Sequence, residues 1–227
     1  PAALKRAFAG VPALARFGFV PAIASSLELA GFSWLTALST QLGAAAAGAF
    51  QVVLSIHNLA FAMSMGFGSA AGVRVGNAVG AGELADAWPR SLIAGGLATL
   101  VLGIGALLVL AFPEGWVQPF SEDDEVRALA ATMLSLLALF LVFDGLQYVF
   151  GSALRSLGEQ VWAGINGIIG FFFVTGGLGW LLVRDGWGAN GVALAAGAGM
   201  LVAGTLLFLR LAFVLKWRGR AAGLIAA

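Results

Sequence analysis

Cysteine is absent from the 227 residues, which excludes disulfides, thiolate metal sites and a cysteine nucleophile. Histidine and tyrosine occur once each, as His57 and Tyr148. A lone imidazole cannot build a metal site without carboxylate partners, so His57 reads first as an interhelical hydrogen-bonding group. Charged residues make up only 10% of the chain, against about 25% in soluble domains, and the net charge is +1. No basic patch suited to nucleic acid stands out. The glycines of 76–82 are not followed by Lys-Ser/Thr and do not follow a strand, which excludes a phosphate-binding P-loop. Ser69 and His57 lie twelve residues apart on one apolar stretch, and Gly66-Phe67-Gly68-Ser69 lacks the pattern expected around a nucleophilic serine. An enzyme is therefore not expected, and no cofactor is implied. Residues 1–10 lack the n-region, apolar region and cleavage site of a signal peptide. The chain, which opens on Pro1, is expected to be part of something longer.

What the chain has instead is apolar surface. Hydrophobic residues account for 60% of it, the mean hydropathy is +0.97, and 33 residues are glycine. That is an integral membrane protein whose small residues let helices approach closely. A helical span needs about 20 mostly apolar residues, and six such stretches occur: 15–39, 47–71, 89–112, 127–150, 160–183 and 190–214. Turn chemistry separates them at Gln41-Leu42-Gly43, the run Gly76 to Glu83, Pro113 to Glu125, Leu157-Gly158-Glu159 and Asp185 to Gly188. Continuous apolar runs of this length do not fit the short alternating strands of a membrane barrel. The expected fold is an all-α six-transmembrane-helix bundle over 15–214, with a linker or interfacial helix at 1–14 and a tail at 215–227.

Lys and Arg set the orientation. With the N-terminus in the cytoplasm, Lys5, Arg6, Arg16, Arg74, Arg90, Arg155, Arg210, Lys216, Arg218 and Arg220 fall on the cytoplasmic side, and only Arg127 and Arg184 lie outside. Both termini are then cytoplasmic in a multi-pass protein of the cytoplasmic (inner) membrane.

Two carboxylates break the apolar pattern. Glu28 falls near the middle of the first span and Asp144 in the inner half of the fourth. A carboxylate in the hydrocarbon core costs several kcal/mol unless it faces a bundle interior or a wet cavity. No Lys or Arg falls mid-span to neutralise either, so a proton or a mobile cation such as Na⁺ is their expected partner. Gln147 and Tyr148 follow Asp144 at three and four residues and make one polar stripe with it. Phe140, Gln51, Asn58 and Asn166 complete the candidate cavity lining, the amides also being suited to hold helices together.

The segment Ala70-Ala71-Gly72-Val73-Arg74-Val75-Gly76-Asn77-Ala78-Val79-Gly80-Ala81-Gly82 resembles the cytoplasmic loop after the second helix of each lobe in MATE (multidrug and toxic compound extrusion) transporters. Arg74, Gly76, Asn77, Gly80 and Gly82 carry that likeness. Gly10-Val11-Pro12 and Pro21 ahead of Glu28, and Phe143-Asp144-x-x-Gln147 followed by Gly151-x-x-Leu154-Arg155-x-x-Gly158, are similar to further stretches of the same family. The resemblance implies the C-terminal lobe, helices seven to twelve of twelve, with Glu28 and Asp144 as its cation site. Two positions depart from the family pattern: Phe50 stands in Ala49-Phe50-Gln51 where histidine is usual, and Phe140 stands where Na⁺-coupled relatives often have tyrosine. The second departure favours H⁺ over Na⁺.

By that resemblance the chain is half of an antiporter that exports small organic cations or amphipathic drugs. Its partners are the lipid bilayer, the substrate, and a missing N-terminal lobe or a second copy. Two other readings remain open at this point: a flippase for lipid or lipid-linked oligosaccharide, and a truncated membrane interaction protein without transport.

Overall fold

The computed structural model describes residues 11–221, and these contain helices and turns only. In chain order they are α1 (Val11–Gln41), α2 (Ala44–Gly80), α3 (Ala87–Ala111), the short α4 (Pro113–Val117), α5 (Asp124–Ala138), α6 (Leu141–Ser156), α7 (Gln160–Ile168), α8 (Gly177–Arg184) and α9 (Gly188–Ala221). A π-helical stretch over Ile169–Gly176 joins α7 to α8. Five segments are long and apolar enough to cross a membrane, and the bent pair α5 and α6 makes a sixth. The expected six spans are therefore present. Four of the five turns predicted to divide them, all but Pro113 to Glu125, include glycines that the backbone needs, among them Gly43 at φ 111° and Gly158 at φ 79°, a left-handed region costly to side chains.

Several boundaries differ from the sequence reading. The fourth span is not one continuous helix over 127–150: it bends by 48° at Leu139–Phe140. Neither proline nor glycine stands at the break. The Phe140 ring is instead seated on Gly197 of α9, where a Cβ would overlap it. The fifth span carries the π-helical stretch. The second runs to Gly80, so the glycine-rich motif is helix, and the turn comes at Ala81–Gly82. Residues 11–14 belong to α1 and residues 215–221 to α9, so neither is a separate segment; 1–10 and 222–227 lie outside the described residues.

Glycine decides how closely α2 and α6 approach. Gly68, Gly72, Gly76 and Gly80 recur every four residues along one side of α2. A Cβ on Gly68 would meet the Tyr148 carbonyl oxygen at 2.9 Å, one on Gly72 the Ser152 Cβ at 3.4 Å, and one on Gly76 the Ser156 Cβ at 3.8 Å. Ser156 Oγ donates to the Gly72 carbonyl at 2.8 Å. The two helices run in the same direction and match residue to residue with a constant offset. A second close crossing gathers Gly31 of α1, Gly170 of the π-helical stretch and Gly199 of α9, with Thr175 against Gly199. In lipid, such packing replaces the hydrophobic effect as the force between helices.

Two apolar cores are stacked along the bundle. One holds α2 up to Ile56 and α6 at Leu141; the other takes up α2 from Ala71 and α6 from Val149. His57, Ser64, Asp144 and Gln147, all buried, fall in the layer between them.

Candidate functional site

Asp144 is 2% exposed and sits in the first turn of α6, just past the bend. That turn is the positive end of the helix dipole, which favours a negative charge. The carboxylate turns toward α2. Ser64 Oγ donates to its Oδ2 at 3.2 Å, and His57 Nε2 lies 3.6 Å from the same oxygen. His57 is 5% exposed and its Nε2 has no hydrogen-bond partner. Its ring stacks on Phe32 of α1 at 5.9 Å between centroids and is tilted against Phe61 at 6.3 Å. The imidazole is thus held beside a carboxylate at a separation that a small movement would close. The interhelical hydrogen bond expected of His57 is not closed at Nε2, which faces Asp144 of the neighbouring helix from 3.6 Å.

Glu28 occupies a different setting. Half-buried in α1, it lines a polar cavity of about 130 Å³ with Ser25 of α1, Gln147, Tyr148 and Arg155 of α6, and Gln160 of α7. Asp144 does not border this cavity. The two carboxylates therefore do not share one pocket. No Lys or Arg stands mid-span, yet one basic side chain, Arg155, reaches the Glu28 cavity. It belongs to the last turn of α6, yet it lines the cavity and donates from Nη2 to Ser152 Oγ at 2.8 Å.

The other candidates divide. Gln147 and Tyr148 reach the Glu28 cavity, and Tyr148 meets Phe61 edge-on at 5.0 Å. Phe140 packs on Gly197 away from that cavity. Asn166 donates from Nδ2 to the Leu206 carbonyl at 3.4 Å and so ties α7 to α9. Gln51 and Asn58 are exposed on α2 and are not brought to either carboxylate. In the glycine-rich motif, the exposed Arg74 offers its carbonyl to Arg90 Nη1 at 3.2 Å. Arg90 also binds Glu83 at 3.1 Å and Asp86 at 2.6 Å. At the same end of the bundle Glu159 pairs with Arg210 at 2.6 Å and Arg218 at 3.2 Å. At the opposite end Arg127 pairs with Asp124, and Arg184 lies over the Trp180 ring at 5.3 Å.

Ser64 and His57 are the partners that the sequence reading did not assign to Asp144. Their spacing of seven residues places them on one side of α2, which is a usable signal. That this side meets α6 is a tertiary fact.

A family model described as MatE matches residues 21–181. A probable multidrug resistance protein NorM from Caulobacter vibrioides is 32% identical over 218 residues, covering 93% of this chain and 45% of that protein. One from Deinococcus radiodurans is 33% identical over 219 residues, covering 93% and 48%. The chain therefore spans about half the length of the curated relatives it matches. The crystal structure of the eukaryotic MATE transporter AtDTX14 superposes with a TM-score of 0.76 at 25% identity, over 93% of this chain and 50% of that one. An outward-facing multidrug resistance MATE transporter of the MOP superfamily gives 0.83 at 18% identity, over 89% and 46%, a likeness of fold. Six membrane-length segments, a glycine-lined helix seam and two carboxylates inside the bundle thus stand in a chain that belongs to the MatE family.

Proposed function

We propose that this chain is the C-terminal lobe of a cation-coupled multidrug antiporter of the cytoplasmic membrane, with H⁺ as the coupling ion and Asp144 and Glu28 as the coupling groups. The observation that carries this reading is Asp144: a carboxylate buried to 2% exposure whose contacts are one hydroxyl and one imidazole. A charge held there with so little compensation is expensive, and a proton removes that cost. The same surroundings favour H⁺ over Na⁺. A hard cation seeks several oxygen ligands, whereas one side of Asp144 is occupied by a nitrogen able to exchange a proton with it.

Export would follow from rocking this lobe against a partner lobe, as in transporters built from repeats. Gln51 and Asn58, seven residues apart and exposed on one face of α2, suit a wall facing that partner across a substrate cavity. The substrate class is small organic cations or amphipathic drugs, by analogy with the names of the relatives. The concentration of basic residues at the Arg74 end supports the reading in which that end of the bundle, and with it both termini, is cytoplasmic.

The test is Asp144→Asn in the full-length protein. The amide keeps the shape and cannot take up or release the proton, so proton-driven drug efflux should fall to the background of empty vesicles at normal membrane expression. Efflux at the level of the unsubstituted protein would overturn the assignment.

A further inference from the structure

We propose that the cavity beside Glu28 is a hydrated proton passage that opens toward the Arg155 end of the bundle and serves Glu28 separately from Asp144. The proposal rests on the proton-coupled reading above.

Unmet hydrogen bonds inside the cavity point to water. Gln147 is 7% exposed and its amide Nε2 has no partner; Gln160 Oε1, on the facing helix, has none either. Both residues line the cavity. Leaving one such group unsatisfied costs about 1–3 kcal/mol. The two needs are opposite, one a donor and one an acceptor, and water meets both. A metal cation would satisfy the Gln160 oxygen but not the Gln147 amide, and it would face the Arg155 guanidinium. An anion would face Glu28. The volume of about 130 Å³ is well above the roughly 10–15 Å³ that one water requires.

The cavity has a direction. Gln160 is the first residue of α7 and Arg155 lies in the last turn of α6, so its outer part borders the α6–α7 turn. Glu28 lies seven residues, about 10 Å at 1.5 Å per residue, beyond Pro21, which lines the same cavity. Pro21 has no N–H, so the helix loses one backbone hydrogen bond there. Asp144 of α6 and His57 of α2 lie outside the cavity wall, and Arg155 of α6 is the charged group that lines the cavity with Glu28. Tyr148 lines the cavity with it, and the parts of α7 and α9 in its wall bring no ionisable group. The transfer itself is simple. The O–H bond of protonated Glu28 breaks, a cavity water takes the proton and passes it outward, and the carboxylate remains with Arg155 as the nearest positive charge in the wall. Asp144, turned to Ser64 and His57, takes no part.

The absence of cysteine from this chain allows a direct test in the full-length protein, once any cysteine outside this lobe is replaced. Gln147→Cys, Gln160→Cys, Ser64→Cys and the exposed Lys216→Cys are each made singly and exposed in oriented vesicles to a small impermeant methanethiosulfonate. Gln147→Cys and Gln160→Cys should react from the same side as Lys216→Cys, at least tenfold faster than from the other. Ser64→Cys should react from neither. Two positions on different helices guard against one variant that fails to fold. Failure of Gln147→Cys and Gln160→Cys to react from either side, or reaction from the side opposite Lys216→Cys, overturns the passage. Proton-driven efflux by the cysteine-free parent in the same vesicles tests the underlying reading by itself, so the two failures are read apart.

Discussion

Asp144 and Glu28 separate in their surroundings more than in their depth. The first is buried, bonded to one hydroxyl and set beside an imidazole; the second borders a polar cavity. Ser64→Ala removes the hydrogen bond to Asp144. Interhelical bonds of this kind contribute about 0.6–1.7 kcal/mol in membranes, and denaturant unfolding in detergent should show a loss in that range. No loss would mean the bond does not hold the helices. His57→Phe keeps the stacking on Phe32 and deletes the nitrogen facing Asp144, so proton-driven efflux should fall at least tenfold while substrate binding at fixed pH persists; unchanged efflux would show that the imidazole plays no part beside Asp144. Of this arrangement, the two carboxylates and the Gln147–Tyr148 stripe were legible, because polar groups stand out against apolar runs. The arrival of Arg155 was not: its place at a span end said nothing of how far a long side chain reaches back along its own helix. Nor could the sequence say that Gln51 and Asn58 point outward from this half.

Among the elements, the α2–α6 seam makes the sharpest claim. Gly68→Ala forces a Cβ to within 2.9 Å of the Tyr148 carbonyl, a backbone atom that cannot swing aside, whereas Gly76→Ala meets Ser156 at an ordinary 3.8 Å. The first should destabilise by about 1–3 kcal/mol, the usual range for overpacking, and the second should leave the melting temperature nearly unchanged; equal effects would show that the seam is looser than described. The span count and most turns could be read from hydropathy and glycine. The extent of α2 could not, because its glycines read locally as a turn while packing against α6 keeps them helical. The bend at Leu139–Phe140 has no local breaker, and the Phe140 ring there packs on Gly197 of α9, far away in sequence. The π-helical stretch likewise sits where Gly170 and Thr175 meet Gly199.

As a whole the molecule is polarised. Arg74, Arg90, Arg155, Arg210, Lys216 and Arg218 gather at one end, against Arg127 and Arg184 at the other. A protease-cleavable tag after Ala227 should be cut in inside-out vesicles and protected in right-side-out ones; the reverse pattern would invert the proposed orientation. The length, about half that of its relatives, fits one lobe, and the exposed face of α2 with Gln51 and Asn58 is where a second lobe would be sought.

The constant offset between α2 and α6 also sets how the chain can tolerate changes in length. Ser64 meets Asp144, Gly68 meets Tyr148, Gly72 meets Ser152 and Gly76 meets Ser156, each pair eighty residues apart. One residue inserted in the turn at Ala81–Gly82 would renumber that offset and leave every pairing in place. The same insertion between Ser64 and Gly68 would rotate the glycines by about 100° relative to Ser64, bringing side chains into the seam or carrying the hydroxyl away from Asp144. Loop length is therefore free to drift, while the count of residues from Ser64 to Gly76 is locked to the count from Asp144 to Ser156.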